Sequence, residues 1–308
     1  MRLLYLSHSD GLRHVTPPGH PEQVARLQAI GEVIRPDLVS DMVMEDAPLA
    51  PLEAVLSCHP SSYAERVAAS VPEAGFLQLD ADTHVSPGSL DAALRAVGGG
   101  LRAVDVVLSG EVDRAFLAMR PPGHHAERST AMGFCLFGTV AIAAKHALTK
   151  VSRVAVIDFD VHHGNGTQDL LWDEPNAMFV STHQMPLYPG TGAAHETGAH
   201  GQIHNHPLAP YSGGAAMRAL YREIVLPKVR DFAPELILLS AGFDAHERDP
   251  LAQLNWSTED YVWLTNEIAA VARDVCGGRI VSCLEGGYDL PALAESVAAH
   301  VTALGEAA

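Results

Sequence analysis

Asp158, Asp160 and His162 occupy alternate positions in Val154-Ala-Val-Ile-Asp-Phe-Asp-Val-His-His-Gly-Asn-Gly-Thr-Gln168, where an apolar run passes into a polar loop. In an extended chain side chains alternate between faces, so these three begin on one side. Two carboxylates and an imidazole aimed at one point repel, or stay badly solvated, unless a cation stands between them. A divalent metal is the natural occupant. The ordinary alternative is a strand end with a solvated acidic loop, and the rest of the chain argues against it.

Asp244 lies in Ser240-Ala-Gly-Phe-Asp-Ala-His246, which follows another apolar run. With Asp160 and His162 it completes a three-ligand set, the number at which a catalytic zinc site keeps one position open. Such a site activates water and polarises a carbonyl oxygen. Oxygen and nitrogen ligands also suit Fe(II), Co(II) or Mn(II), so zinc is the first expectation and not the only one.

His124 and His125 are adjacent, and an extended strand would point them apart. The preceding Pro121-Pro122-Gly123 forces a turn that can aim both into one cavity. General base and general acid are the expected roles, with His125 the expected base; sequence does not settle the division. Asp158 and Asn165 are spare polar groups beside the ligands. Each can orient one imidazole through its ring N–H. Tyr288 follows Gly286 and Gly287, which let the backbone approach a ligand closely. Its phenol is placed to donate a hydrogen bond to a developing oxyanion. His183, His195, His200, His204 and His206 suggest a second metal site but lack the paired spacing of one. They read as loop histidines.

Six apolar or β-branched runs must carry these groups: Leu3–Leu6, Ala115–Met119, Val154–Ile157, Ala177–Val180, Leu236–Leu239 and Ile280–Cys283. Helical periodicity marks Pro21–Ile34, Ser61–Ala69, Ser89–Leu108, Thr139–Leu148, Ala215–Val229, Thr258–Val275 and Pro291–Leu304. Apolar strands alternating with amphipathic helices predict an α/β fold, a mostly parallel sheet covered on both faces. No linker divides the chain, so residues 1–308 read as one domain. The polar clusters follow the strands, and open parallel sheets bind ligands at those carboxyl ends.

Composition narrows the function. Apolar residues make up 47% and charged residues 19%, enough apolar content for a large core and against global disorder. A formal net charge of −17 argues against nucleic-acid binding. Four cysteines without a Cys-x-x-Cys spacing suit a reducing cytosol. The N-terminus lacks a signal-peptide core, and no apolar run is long enough to span a bilayer, so a cytoplasmic protein is expected. The sequence leaves the oligomeric state open, a homo-oligomer included.

Together the motifs closely resemble the histone deacetylase superfamily, in its class II-like branch with the bacterial histone deacetylase-like amidohydrolases. The resemblance rests on His20-Pro-Glu-Gln-Val-Ala-Arg-Leu27, Arg120-Pro-Pro-Gly-His-His-Ala126, Gly133-Phe-Cys135, the Asp158–Gln168 segment, Tyr188-Pro-Gly-Thr-Gly192, Ser240–Leu251 and Leu284-Glu-Gly-Gly-Tyr288. It implies an arginase/deacetylase-type fold with one zinc on Asp160, His162 and Asp244. It also implies a tandem pair His124 and His125 backed by Asp158 and Asn165, and a carbonyl-polarising Tyr288. Asn165, where class I members carry Asp, marks the class II-like branch. Gly133, Phe134, Tyr188, Leu251, Gly286 and Gly287 are expected along the substrate channel, with Asp82 at its rim. The family usually has Phe where Tyr188 stands. A structural potassium ion is implied on the backbone carbonyls of Asp158, Asp160, His162 and Ser181. The segment Ala193–His206 has fewer glycines than the family pattern. The implied activity is metal-dependent removal of acetyl or other acyl groups from acyl-lysine peptides or small acylated amines. Alternatives are an acetylpolyamine amidohydrolase, a deacylase of a small metabolite, and a non-catalytic acyl-lysine-binding scaffold, which would need neither the histidine pair nor Tyr288.

Overall fold

The six apolar runs are strands of one eight-stranded parallel sheet, in the computed structural model, which describes residues 1–307. They are β1 (Leu3–Ser7), β5 (Arg114–Ala118), β6 (Val154–Asp158), β7 (Ala177–Gln184), β9 (Leu236–Ala241) and β10 (Ile280–Leu284). Two edge strands that the apolar pattern does not mark complete it, β2 (Met42–Asp46) and β8 (Ile203–Leu208), giving the order β2-β1-β5-β10-β9-β6-β7-β8. A short antiparallel hairpin, β3 (Leu77–Gln78) and β4 (His84–Val85), stands apart from the sheet.

Alternation along the strands divides the interior in two. Leu4 and Leu6 of β1 join one apolar core with Leu117, Val154, Val156 and Leu238. Leu3 and Tyr5 join the other with Phe116, Ile157, Ile237 and Leu239. The first core is covered by α2 (Ser61–Ala69), α3 (Ser89–Ser109), α4 (Thr139–Leu148) and α5 (Asn165–Leu171). The second is covered by α1 (Ala25–Val33), α8 (Thr258–Cys276), α9 (Leu290–Glu306) and the stretch between β8 and β9. That stretch is not one regular helix. It runs as α6 (Gly214–Leu220), a π-helical turn at Tyr221–Val225, then α7 (Leu226–Phe232). Pro227 at the start of α7 has no N–H to give, so the ladder is interrupted just before it. α8 starts on a capping box, with the Ser257 and Asp260 side chains each bonded to the other's backbone.

The order places β5, β10, β9 and β6 side by side at the centre. The loops after these four strands carry the histidine pair, Tyr288, Asp244 and the Asp160–His162 pair, respectively. Sequence segments far apart are thus neighbours at one end of the sheet. Three of the five histidines read as loop residues are on strands instead, His183 in β7 and His204 and His206 in β8. His183 is buried, with Nδ1 2.9 Å from Ser181 Oγ and Nε2 3.1 Å from the Gly192 carbonyl. Polar residues at strand positions hid these ends from the apolar pattern.

Candidate active site at the carboxyl ends of the central strands

Beyond β6 the chain turns so that Asp160 and His162 both face Asp244. One ligand atom from each lies within 4.8 Å of the others, and all three residues are buried. His162 Nδ1 is 3.1 Å from Asp160 Oδ1 and 3.1 Å from Asp244 Oδ2. Backbone N–H groups fix both carboxylates. Gly286 N donates to Asp160 Oδ2 at 2.8 Å, and Val161 N donates to Asp244 Oδ1 at 2.9 Å. Burial favours a neutral imidazole, yet the hydrogen bonds and charges of Asp160 and Asp244 hold His162 at about 10. The three groups therefore demand positive charge between them. The donor set, two carboxylate oxygens and one imidazole nitrogen, fits a divalent ion.

The histidine pair is folded over this cluster, with ring centroids 4.0 Å apart. His124 Nδ1 lies 3.0 Å from Asp158 Oδ2. Burial works against charge here too, but Asp160 and Asp158 lift His124 well above its ordinary value. Burial also pushes the Asp158 carboxyl up to about 7, so the two share a tightly held proton. His125 differs. Its Nδ1 is 2.7 Å from Asn165 Oδ1, and the Asn165 amide is oriented by donating Nδ2–H to Glu127 Oε1 at 2.8 Å. An amide oxygen only accepts, so the proton sits on His125 Nδ1 and Nε2 carries a lone pair. Burial, with the charges of His124 and His162, pushes His125 well below its ordinary value.

A cavity of about 240 Å³ opens onto these groups, lined by Asp82, His125, Gly133, Phe134, His162, Leu187, Tyr188, Leu251 and Tyr288. A larger groove of about 410 Å³ beside α2 offers only Tyr63, Arg66 and Asp80 as titratable groups, so size does not identify the site. Gly133 must be glycine: its φ is +55° and a Cβ would meet the His125 ring at 2.3 Å. Phe134, at φ 70°, is held in the left-handed region by Thr83 Oγ1, which accepts its N–H at 3.0 Å. Asp82 lines the cavity, but its Oδ1 already accepts Gly133 N–H at 3.2 Å. Gly286 and Gly287 do not line the channel. Gly286 packs behind the ligands, where a Cβ would lie 2.1 Å from Asp244 Oδ2.

Glu285, Arg26, Arg120 and Leu187 are among the positions that escaped the reading by residue type. Glu285 is buried and accepts N–H from Gly123 at 2.7 Å and from His124 at 3.1 Å, clamping the turn that aims the histidines. Arg26 donates to the Gly287 carbonyl at 2.7 Å and to Glu22 Oε1 at 3.1 Å, which explains the His20–Leu27 motif. Arg120 also pairs with the fully buried Glu22. Leu187 joins Tyr188 in the wall. The signal for the three charged ones was present, a charge inside an otherwise apolar or glycine- and proline-rich motif.

Residues 20–304 match the histone deacetylase domain family. The chain belongs to that family. It is an enzyme of the deacetylase class, with the arginase/deacetylase fold. Histone deacetylase 14, chloroplastic, of Arabidopsis thaliana is 39% identical over 325 residues, covering 98% of this chain and 76% of the relative. The histone deacetylase-like amidohydrolase of Pseudomonas aeruginosa is 38% identical over 286 residues, covering 89% and 74%. The crystal structure of the HDA15 HD domain superposes with a TM-score of 0.92 at 31% identity, covering 99% of this chain and 89% of that one. Among the described residues no helix is long and apolar enough to cross a membrane.

Proposed function

We propose that this deacetylase hydrolyses the amide of acyl-lysine side chains, acetyl foremost, with one divalent ion, zinc first, on Asp160, His162 and Asp244. The observation that carries the reading is a three-ligand cluster beside two closely packed histidines with unlike partners, His124 on the Asp158 carboxylate and His125, which lines the channel, on the Asn165 amide oxygen. When bound, the ion polarises the amide carbonyl and acidifies a water molecule. His125 Nε2, unprotonated, takes the proton of the attacking water. His124, kept protonated by Asp158, returns a proton to the departing amine. The Tyr288 hydroxyl donates to the carbonyl oxygen as negative charge gathers there. Phe134 and Tyr188 wall the channel around the methylene stem. By the family resemblance, the backbone carbonyls of Asp158, Asp160, His162 and Ser181 are assigned to a structural potassium ion. In support, Asp158 and Ser181 are register partners across β6 and β7, and all four residues are buried.

The dyad gives one test. Asp158→Asn keeps the shape but leaves His124 without its carboxylate, so turnover should fall by about 10–100-fold. Rates unchanged across pH would reduce Asp158 to a packing residue.

The mouth gives another. Leu251 lines the cavity and brings no charge. A polyamine cation entering past it gives up hydration without a partner. A neutral acyl-lysine stem instead packs against Leu251, at about 0.8 kcal/mol per buried methylene. Catalytic efficiency should therefore be higher on acetyl-lysine peptides than on acetylspermidine or acetylputrescine. Leu251→Glu should move the ratio toward the polyamines. A wild-type preference for acetylpolyamines would overturn the substrate assignment and leave the ligand assignment standing.

A further inference from the structure

The loop after β9 and the loop after β10 meet at one carboxylate. Asp249 Oδ2 accepts the Tyr288 N–H at 2.7 Å and the Asp289 N–H at 3.4 Å. Its Oδ1 accepts the Leu251 N–H at 3.0 Å. Asp249 is buried, and its own N–H is tied to the His246 carbonyl at 2.9 Å. Among the described residues no cationic side chain pairs with it, so backbone N–H groups are its partners.

The peptide that carries the Tyr288 N–H is held at both ends: Asp249 accepts the N–H, and Arg26 donates to the Gly287 carbonyl at 2.7 Å. Gly287 itself sits at φ 123°, a conformation open to glycine. The ring beyond is held by packing, edge-on to Phe134 with centroids 5.8 Å apart and beneath the Arg26 guanidinium at 4.9 Å. Packing of that kind restrains the ring but sets no single position for the hydroxyl along the channel. The Asp249 carboxylate, with Arg26 on the other side of the peptide, sets where the Cα starts.

We infer that Asp249 is a positioning residue for Tyr288, and that the same carboxylate sets Leu251 at the mouth. The inference rests on the reading that Tyr288 polarises the substrate carbonyl. Reach of the hydroxyl to the carbonyl oxygen and width of the entrance are then governed together, by one residue that touches no substrate. A displacement of about 1 Å at a reacting group is enough to cost about 10²-fold in rate.

Two substitutions separate this from a merely structural role. Asp249→Ala removes the acceptor for all three N–H groups. Turnover should fall by about 10–100-fold, with KM for an acetyl-lysine peptide moving less. Asp249→Asn keeps one acceptor oxygen. Two N–H groups lie on the Tyr288 side and one on the Leu251 side, so the amide oxygen should turn toward Tyr288. Burial and the Asp244 charge push the Asp249 carboxyl up to about 7, so a neutral amide is tolerated there. Asp249→Asn should therefore recover most of the turnover and show its deficit in KM.

The decisive experiment is a cycle with Tyr288→Phe. If Asp249 acts through the hydroxyl, Asp249→Ala should cost much less turnover in the Tyr288→Phe background than in wild type, at equal metal content and with folding verified by circular dichroism. Equal costs in both backgrounds would overturn the inference while leaving Tyr288 its role. A Tyr288→Phe enzyme with wild-type turnover would instead remove the role of Tyr288, and the positioning with it. Should Asp249→Ala fail to fold, the Asn variant decides alone: turnover lost with KM unchanged counts against the inference.

Discussion

Asp244→Ala is expected to remove the metal and the activity together. Asp160, His162 and Asp244 are the one group among the described residues whose ligand atoms converge. A three-ligand site has no spare, so losing one carboxylate leaves one oxygen and one nitrogen to hold the ion. Asp244 is also buried between Val161 N–H and His162 Nδ1, at 2.9 and 3.1 Å. Its removal leaves the Val161 N–H unsatisfied, which costs about 1–3 kcal/mol of stability. Elemental analysis of the purified variant measures the first effect and thermal unfolding the second. Full metal occupancy in a folded Asp244→Ala protein would refute the ligand assignment. Loss of turnover with occupancy intact would give Asp244 another role.

Tyr288→Phe should leave the fold, the metal content and KM nearly unchanged and lower turnover by about 10²–10³, the usual cost of one oxyanion donor. The asymmetry follows from where the charge is. On the proposed role, the hydroxyl faces a neutral carbonyl in the bound substrate and a developing oxyanion in the transition state, so its hydrogen bond strengthens only as the reaction proceeds. Little volume is lost, and the ring keeps its contact with Phe134. Steady-state kinetics on an acetyl-lysine peptide separates kcat from KM. A variant with wild-type kcat would make Tyr288 a packing residue and leave carbonyl polarisation to the ion.

The central strands were legible because they are buried on both faces and read as unbroken apolar runs; all five residues of β6 and all six of β9 are buried. The edges were not. β2 is only partly buried along its length, with Met44 44% exposed. β8 reads Ile-His-Asn-His-Pro-Leu, with only alternate residues buried at its start. Such strands show neither the apolar run nor a clean alternation. α5 was missed because it opens on Asn165-Gly166, a pair that reads as a turn. In the site, the ligand and histidine positions were legible because the chemistry rests on side-chain type at short spacing. Asp249 and Glu285 were not, because both act on backbone N–H groups, which every residue but proline carries and no sequence marks. Gly286 and Gly287 were placed along the channel when Gly286 in fact stands behind it, since sequence tells that a backbone comes close but not to what.

The strand order has a consequence for how the enzyme comes into being. His162 and Asp244 touch across 82 positions of chain, and Arg26 grips the Gly287 carbonyl across 261. Closing loops of that length costs entropy before any contact repays it, so such pairings form late. During synthesis β10, which separates β5 from β9, emerges after the other seven strands of the sheet. Until it does, the two halves of the sheet lack the strand that joins them: Asp160, His162 and Asp244 share one half through the β6–β9 pairing, and the histidine pair stands in the other. The ligand cluster can therefore form before the site is complete, and the histidine pair and Tyr288 are expected to join it last.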